Sequence, residues 1–338
     1  MSGFSKEKEK DRLSYLDFYK GICILLIIIQ HSMLDPTFRK VYLFPYWVFM
    51  AVPILMVITG YVSSLSFEKN GVTLKSAYHP KNIICKLLRF IIPFLPVFIV
   101  EYIILYMTFG NRLTWRFLLD TFITGGIGPG NYYFPIMLQV VLIFPLIWAV
   151  IRKLGFKGLV ICFAVNFAYE VFKTLIHMDP EVYRYIAFRY VFIISFGCYL
   201  FVKQKESNKK NNIWYYLAGV VGAIYIFVFI YTDLKPYFTT EWTKTSCFAV
   251  LYIFPLMLHI IKPNKIHIEL IEILGRASLN IYYIQLIYFW YISEVIESFI
   301  PVTVLKIAFN LIICCALGVL YYKIESPLTG KLVKLIKK

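Results

Sequence analysis

The chain has 338 residues, 60% hydrophobic and 19% aromatic, with 35 Lys and Arg against 19 Asp and Glu. A mean hydropathy of +0.70 excludes an ordinary soluble domain and a disordered chain. The net charge of +16 does not mark a nucleic-acid binder, because the basic residues collect between alternate apolar runs and no RNA-binding or zinc-finger pattern occurs.

With about 20 apolar residues needed per crossing, the sequence predicts an all-α integral membrane protein of about ten transmembrane helices. They fall at 17–35, 43–66, 86–109, 132–151, 156–176, 185–203, 213–232, 244–261, 278–296 and 302–322. The segments 1–16, 67–85, 152–157, 204–212, 262–277 and 323–338 carry most of the Lys and Arg, including Lys6, Lys8, Lys10 and Arg12, Lys75 and Lys81, Lys205, Lys209 and Lys210, and Lys331, Lys334, Lys337 and Lys338. The alternate connections are poorer, with Arg39, Lys40, Arg112, Arg116 and Lys235. This asymmetry places both termini in the cytoplasm. The organisation is a basic N-terminal segment (1–16), a ten-helix membrane domain (17–322) and a basic tail (323–338), with the lipid bilayer as the first partner. The charged start followed by an apolar run lacks a small-residue cleavage site, so it reads as a retained first span. The seven cysteines lie in or beside apolar runs without metal-ligand spacing; no metal site is expected, and they read as small core residues.

The first span carries the most informative pair. Lys20 and His31 are eleven residues apart, almost three helical turns, so they share a helix face roughly 16 Å apart along the axis. Ionisable groups at membrane depth default to a functional reading. The helix N-terminus with Lys20 makes a favourable field for an anionic cofactor from the cytosol, and an imidazole suits proton transfer near neutral pH. Asp17 neighbours Lys20, and Asp35 follows His31 by one turn, where it orients the ring or ends the helix before Pro36. Taken singly, Lys20 reads as a snorkelling lysine, Asp17 as its partner or a helix-start carboxylate, and His31 as a hydrogen-bonded structural histidine.

Farther along, Glu101 is a lone carboxylate in the middle of the third span, suited to pairing with a cation, supporting His31 or binding acceptor hydroxyls. Gly125-Gly-Ile-Gly-Pro-Gly130-Asn131 forms either a re-entrant or lid segment or an exposed turn, and lacks the Lys-Ser/Thr of a phosphate loop. Glu170 and Lys173 suit an i,i+3 pair, and Glu294 and Glu297 an interfacial position.

Leu16-Asp17-x-x-Lys20-Gly-Ile, an apolar run and then His31 resemble the opening of the family 3 membrane acyltransferases, ten-span bacterial proteins that O-acylate surface glycans and related acceptors. The family usually has Arg where this chain has Lys20, which keeps the charge but loses the planar fork. Val52-Pro53 through Thr59-Gly60-Tyr61, Lys86-Leu-Leu-Arg89, Gly130-Asn131-Tyr132-Tyr133-Phe134 with Gln139, and Glu325-Ser-Pro327 resemble successive family motifs. Gly275-Arg276-Ala-Ser278-Leu-Asn280-Ile-Tyr282-Tyr-Ile-Gln285 is similar to another, with Gln285 in place of the more usual His.

The resemblance implies acyl transfer from acetyl-CoA or another cytosolic acyl-CoA, a donor substrate rather than a tightly bound cofactor, to a hydroxyl of a glycan or lipid-linked sugar. It makes His31 the general base beside Lys20 and Asp17, and gives Lys20, Lys86, Arg89 and Arg276 the donor phosphates. Asn131, Tyr132, Asn280 and Gln285 become oxyanion or substrate contacts, with Asp35 and Glu101 on the acceptor. It also implies a multi-pass protein of the bacterial inner membrane, with polysaccharide-assembly proteins as partners. The rival readings are a transporter or flippase for a glycan or acyl group, and a non-catalytic scaffold of polysaccharide export. Buried Lys20, His31 and Glu101 suit a polar transport path equally well.

Overall fold

The computed structural model describes residues 3–32, 34–110, 114–205, 212–232, 234, 246–262 and 266–337, with side chains from residue 14 onward except at 109 and 205. Among the described residues the structure is helical, with no strand. In chain order the helices are α1 (Gly3–His31), α2 (Pro36–Val41), α3 (Ala51–Lys69), α4 (Leu74–Ala77), α5 (Pro80–Phe109), α6 (Trp115–Thr124), α7 (Tyr133–Leu154) and α8 (Phe156–Leu175). There follow α9 (Pro180–Arg184), α10 (Val191–Lys205), α11 (Ile213–Tyr231), α12 (Phe254–Ile260), α13 (Glu269–Arg276), α14 (Ser278–Ile287), α15 (Ser293–Ser298) and α16 (Thr303–Lys337). Arg112, Lys209, Lys210, Lys235 and Lys338, and positions 244 and 245 of the eighth predicted span, lie outside the described residues, as do the side chains of Lys6, Lys8, Lys10 and Arg12.

Six helical stretches among the described residues are long and apolar enough to cross a membrane: Phe44–Lys69, Pro80–Thr108, Tyr133–Leu154, Phe156–Leu175, Ile213–Tyr231 and Thr303–Lys337. Six such stretches mark the chain as a multi-pass membrane protein. Of the other four predicted spans, the first lies mostly within the continuous helix α1 and three are built differently. The sixth is a 3-10 turn, Ala187–Tyr190, running into the 15-residue α10. The eighth is a 3-10 turn, Ala249–Ile253, running into the seven-residue α12. The ninth comprises α14, a π-turn over Tyr288–Ile292, and α15. Apolar composition alone cannot register these changes of helical pitch. The third span begins at Pro80 rather than at 86, and residues 323–337 continue α16 without a break.

Helix α3 is the most enclosed of the six stretches, whereas α11 and α16 expose most of their apolar surface, as a lipid-facing helix does. Around α3 pack α1 and α10, and α13 lies along α1. The α1–α13 seam is backbone against backbone. A Cβ at Gly21 would stand 2.1 Å from the Ile271 carbonyl oxygen, and one at Gly275 would stand 1.8 Å from that of Asp17. Only glycine permits this approach. It brings the stretch of α1 around Lys20 beside the C-terminal end of α13, with Arg276.

Prolines 93 and 96 sit inside α5, where each removes a helical hydrogen bond. Neighbouring helices supply donors nearby: Tyr283 donates to the Phe90 carbonyl at 2.9 Å, and Tyr321 donates to that of Pro93. At the other end of α1, Asp35 is the N-cap of α2. Its Oδ1 accepts the amides of Thr37 at 2.6 Å and Phe38 at 3.2 Å, with Pro36 in the first turn. The Thr37 side chain, and then these two amides, hold the Asp35 carboxyl below the usual carboxylate range.

Candidate active site

A cleft of about 450 Å³ opens between α1, α3, α7 and α14. Asp17, Lys20 and Arg276 line it at one end, and Tyr133, Met137 and Tyr282 also face it. Lys20 donates to Asp17 at 2.9 Å, and Arg276 is exposed on the last turn of α13. Along α1 the lining residues are Lys20, Ile24 and Ile27, the i, i+4, i+7 stripe whose next member is His31. Thr59, Ser63 and Ser278 add hydroxyls to an otherwise apolar wall.

The glycine-rich segment does not form an exposed turn. Gly125, Gly126, Gly128 and Asn131 are buried, and the loop folds inward against α5, α14 and the end of α1. Its backbone meets its neighbours directly. The Ile127 amide donates to Glu101 Oε1 at 2.8 Å. Tyr282 Oη lies 3.1 Å from the Gly130 carbonyl oxygen and 3.2 Å from that of Asn131, a shared donation. A Cβ at Gly128 would stand 2.2 Å from the Leu286 carbonyl oxygen. Gly130, at φ +87°, would put a Cβ 3.1 Å from His31 Nε2, so glycine there is what lets the loop lie against the imidazole. On its far side, His31 meets the Phe289 ring at 6.1 Å. Tyr282 thus connects the cleft to the loop, and the loop touches His31.

The remaining sequence candidates separate by what they touch. Asn131 is committed: it donates to the Gly126 carbonyl at 2.7 Å and to Tyr185 at 3.1 Å, and it accepts from Arg184. Asn280 donates to Glu325 at 2.9 Å, and Glu325 also accepts from Thr329, so two of the sequence motifs meet in one buried contact. Glu101 is buried and answers a backbone amide of the loop. Tyr132 is buried beneath the guanidinium of Arg189, 5.0 Å from its ring centre. Lys86 lies over the Phe67 ring at 4.1 Å, and Arg89 is exposed; neither lines the cleft, although Phe90 does. Asp35 caps α2, as described above.

Gln285 is the exception. It is fully buried on α14, between Tyr282 and Phe289 in the helical order, and neither Oε1 nor Nε2 has a hydrogen-bond partner among the described residues. Tyr282, Leu286 and Phe289 on either side of it face Gly130, Gly128 and His31, so its amide lies on the flank of that face. A fully buried amide with both atoms unpaired is costly, and such groups concentrate where a ligand completes the bonding.

Sequence reading missed Arg184 and Arg189, the first bonded to Asn131 and the second fully buried among the rings of Tyr132, Tyr183 and Tyr190. Their neighbours come from distant segments, so local patterning carries no signal for them. Glu297, expected at the interface, is instead buried and accepts from Asn310 at 3.0 Å. Glu170 accepts from Tyr183 at 3.0 Å.

A family model described as "Acyltransferase domain" matches residues 13–319. Comparison with curated proteins and with solved structures gave no match. The matched stretch contains Lys20, His31, the glycine-rich loop and Gln285.

Proposed function

The chain belongs to acyltransferase family 3, and from that premise we propose that it moves an acetyl group from cytosolic acetyl-CoA to a hydroxyl of a surface glycan or its lipid-linked precursor. In this reading ten spans cross the bacterial inner membrane with both termini in the cytoplasm. Lipid-linked intermediates bring it beside polysaccharide-assembly proteins. The observation that carries the reading is the cleft. It runs from a mouth with Lys20 and Arg276 to Tyr282, whose hydroxyl bonds the loop that lies against His31.

The phosphates of the donor are held at the mouth by the ammonium of Lys20 and the guanidinium of Arg276. The thioester arm follows the apolar stripe of Ile24 and Ile27. His31 removes the proton from the acceptor hydroxyl as its oxygen attacks the thioester carbonyl. The tetrahedral intermediate collapses with loss of the C–S bond, and the imidazolium returns its proton to the leaving thiolate. Base catalysis of this kind is worth about 100- to 10,000-fold. The negative charge on the carbonyl oxygen needs a donor. Asn131 donates to Gly126 and Tyr185 and Asn280 donates to Glu325, whereas the Gln285 amide has no partner among the described residues. Gln285 is therefore assigned the oxyanion role. A transport reading finds no comparable support, since family membership makes the chain an acyltransferase.

The test is transfer of label from [14C]acetyl-CoA in inside-out membrane vesicles of the expressing strain, read in the glycan and lipid fractions. His31→Ala at unchanged abundance is expected to lose at least about 100-fold. Persistence of label transfer in that variant would overturn the assignment of the base.

A further inference from the structure

Behind His31 lies a buried hydrogen-bond cluster outside the cleft. Helix α1 ends at His31, and Ser32 follows at 1% exposure. Its Oγ donates to the Ile28 carbonyl at 3.1 Å and accepts from Asn310 Nδ2 at 3.1 Å. Asn310, on α16 and fully buried, also donates to Glu297 Oε1 at 3.0 Å and accepts the Tyr288 hydroxyl at 2.6 Å. Two N–H bonds and one oxygen bond leave a single consistent orientation of the carboxamide, because the flipped amide would set its oxygen against the Glu297 carboxylate.

The three partners come from different elements: Ser32 from the end of α1, Tyr288 from the start of the π-turn, and Glu297 from α15. Phe289, next to Tyr288, meets the His31 ring, and Gln285 stands one turn earlier. One carboxamide therefore joins the residue after the imidazole to the helix carrying the unpartnered amide. The π-turn adds a residue to the local pitch and shifts the facing of everything beyond it. At its first two residues, Tyr288 reaches Asn310 and Phe289 faces His31.

We propose that Asn310 is a positioning residue that sets His31 relative to Gln285, acting through Ser32 on one side and Tyr288 on the other. It touches no reacting atom. The inference rests on the reading of His31 as the base. Misplacement of a reacting group by about 1 Å costs on the order of 100-fold, so loss of the link reduces turnover while leaving the donor anchor at Lys20 and Arg276 intact.

The experiment uses the full chain in inside-out vesicles with [14C]acetyl-CoA as the probe. The variants are Ser32→Ala, Ser32→Thr, Asn310→Leu and, in parallel, His31→Ala. Since Asn310→Leu removes three buried hydrogen bonds at once, the Ser32 pair decides. Ser32→Ala, which keeps His31 and removes the Asn310 link together with the local bond to the Ile28 carbonyl, is expected to lower kcat by roughly 10- to 100-fold with KM for acetyl-CoA within about twofold. Ser32→Thr, which keeps the hydroxyl, is expected to restore at least half of wild-type kcat. Unchanged kcat in Ser32→Ala, or an equal loss in Ser32→Thr, overturns the proposal. A dead His31→Ala beside an unimpaired Ser32→Ala refutes positioning alone, whereas an active His31→Ala removes the base on which it rests.

Discussion

Gln285→Leu separates stability from activity in a way that the site predicts quantitatively. In the wild-type chain the side chain is fully buried and both amide atoms lack partners among the described residues. Each such group costs roughly 1–3 kcal/mol, so the pair costs roughly 2–6 kcal/mol. Leucine removes both penalties, and its imperfect fit gives back about 1–2 kcal/mol. The net expectation is a gain of about 0–5 kcal/mol, read as a thermal midpoint higher by about 2–4 °C per kcal/mol in detergent. Transfer from [14C]acetyl-CoA should meanwhile fall by about 100- to 1,000-fold, the usual cost of one oxyanion donor. A stabilised variant that is inactive is the signature of a polar group kept for substrate. A destabilised Gln285→Leu that still turns over would refute the reasoning, because the amide would then have had a partner in the fold and no role in transfer. Gln285→His, which keeps an N–H donor, is expected to retain activity within about tenfold.

Lys20→Ala and Arg276→Ala should each raise KM for acetyl-CoA with kcat little changed, while Lys86→Ala and Arg89→Ala leave KM unaltered. Steady-state kinetics on the four variants checks the division, and an equal effect of Lys86→Ala would count against the cleft as the donor site. Gly130→Ala places an L-residue at φ +87° with its Cβ 3.1 Å from His31 Nε2. It should cost roughly 1–2 kcal/mol in stability and lower kcat more than it raises KM, as thermal unfolding and label transfer would show. The folded-state titration of Asp35 is depressed by the Thr37 side chain first and then by the Thr37 and Phe38 amides, so its contribution to the α2 cap is present above the ordinary aspartate range. It disappears only as pH falls through the depressed value. Exchange protection of those amides should therefore persist at pH 5 and through the ordinary aspartate range at about pH 4, being lost only at lower pH, and Asp35→Asn should leave the pH profile of turnover unchanged.

What the sequence disclosed best was what lies within one helix. The Lys20–His31 stripe follows from the 3.6-residue repeat alone, and the intervening Ile24 and Ile27 do line the cleft. Membrane-spanning length was equally legible for α5, α7, α8 and α11, where apolar runs form unbroken helices. It failed where a run changes pitch, as at the 3-10 turn before α10 and the π-turn after α14, because hydropathy does not distinguish these geometries. The glycine-rich loop could be read two ways from composition. Its burial is decided by long-range contacts, with Glu101 receiving the Ile127 amide and Leu286 meeting Gly128. The same holds for Asn310 and Ser32, 278 positions apart in the chain. Asn280 and Gln285 looked equivalent as amides on one helix, yet Glu325 occupies the first and nothing among the described residues occupies the second.

The seam between α1 and α13 has a consequence for selectivity. Gly21 and Gly275 lock two backbones together, so the spacing of the two anchor helices is fixed by peptide geometry rather than by adjustable rotamers. Helix α1 then works as a ruler of fixed length between the anchor at Lys20 and the imidazole at His31. In the proposed reaction, that ruler measures the donor only as far as its thioester carbon, which is common to every acyl-CoA. Discrimination between a two-carbon acyl group and a longer one must therefore be exercised beyond the ruler's end, where the buried glycines of the 125–131 loop leave no side chain to trim. Widening or narrowing that loop, rather than altering the mouth, is the way to change which acyl group the enzyme carries.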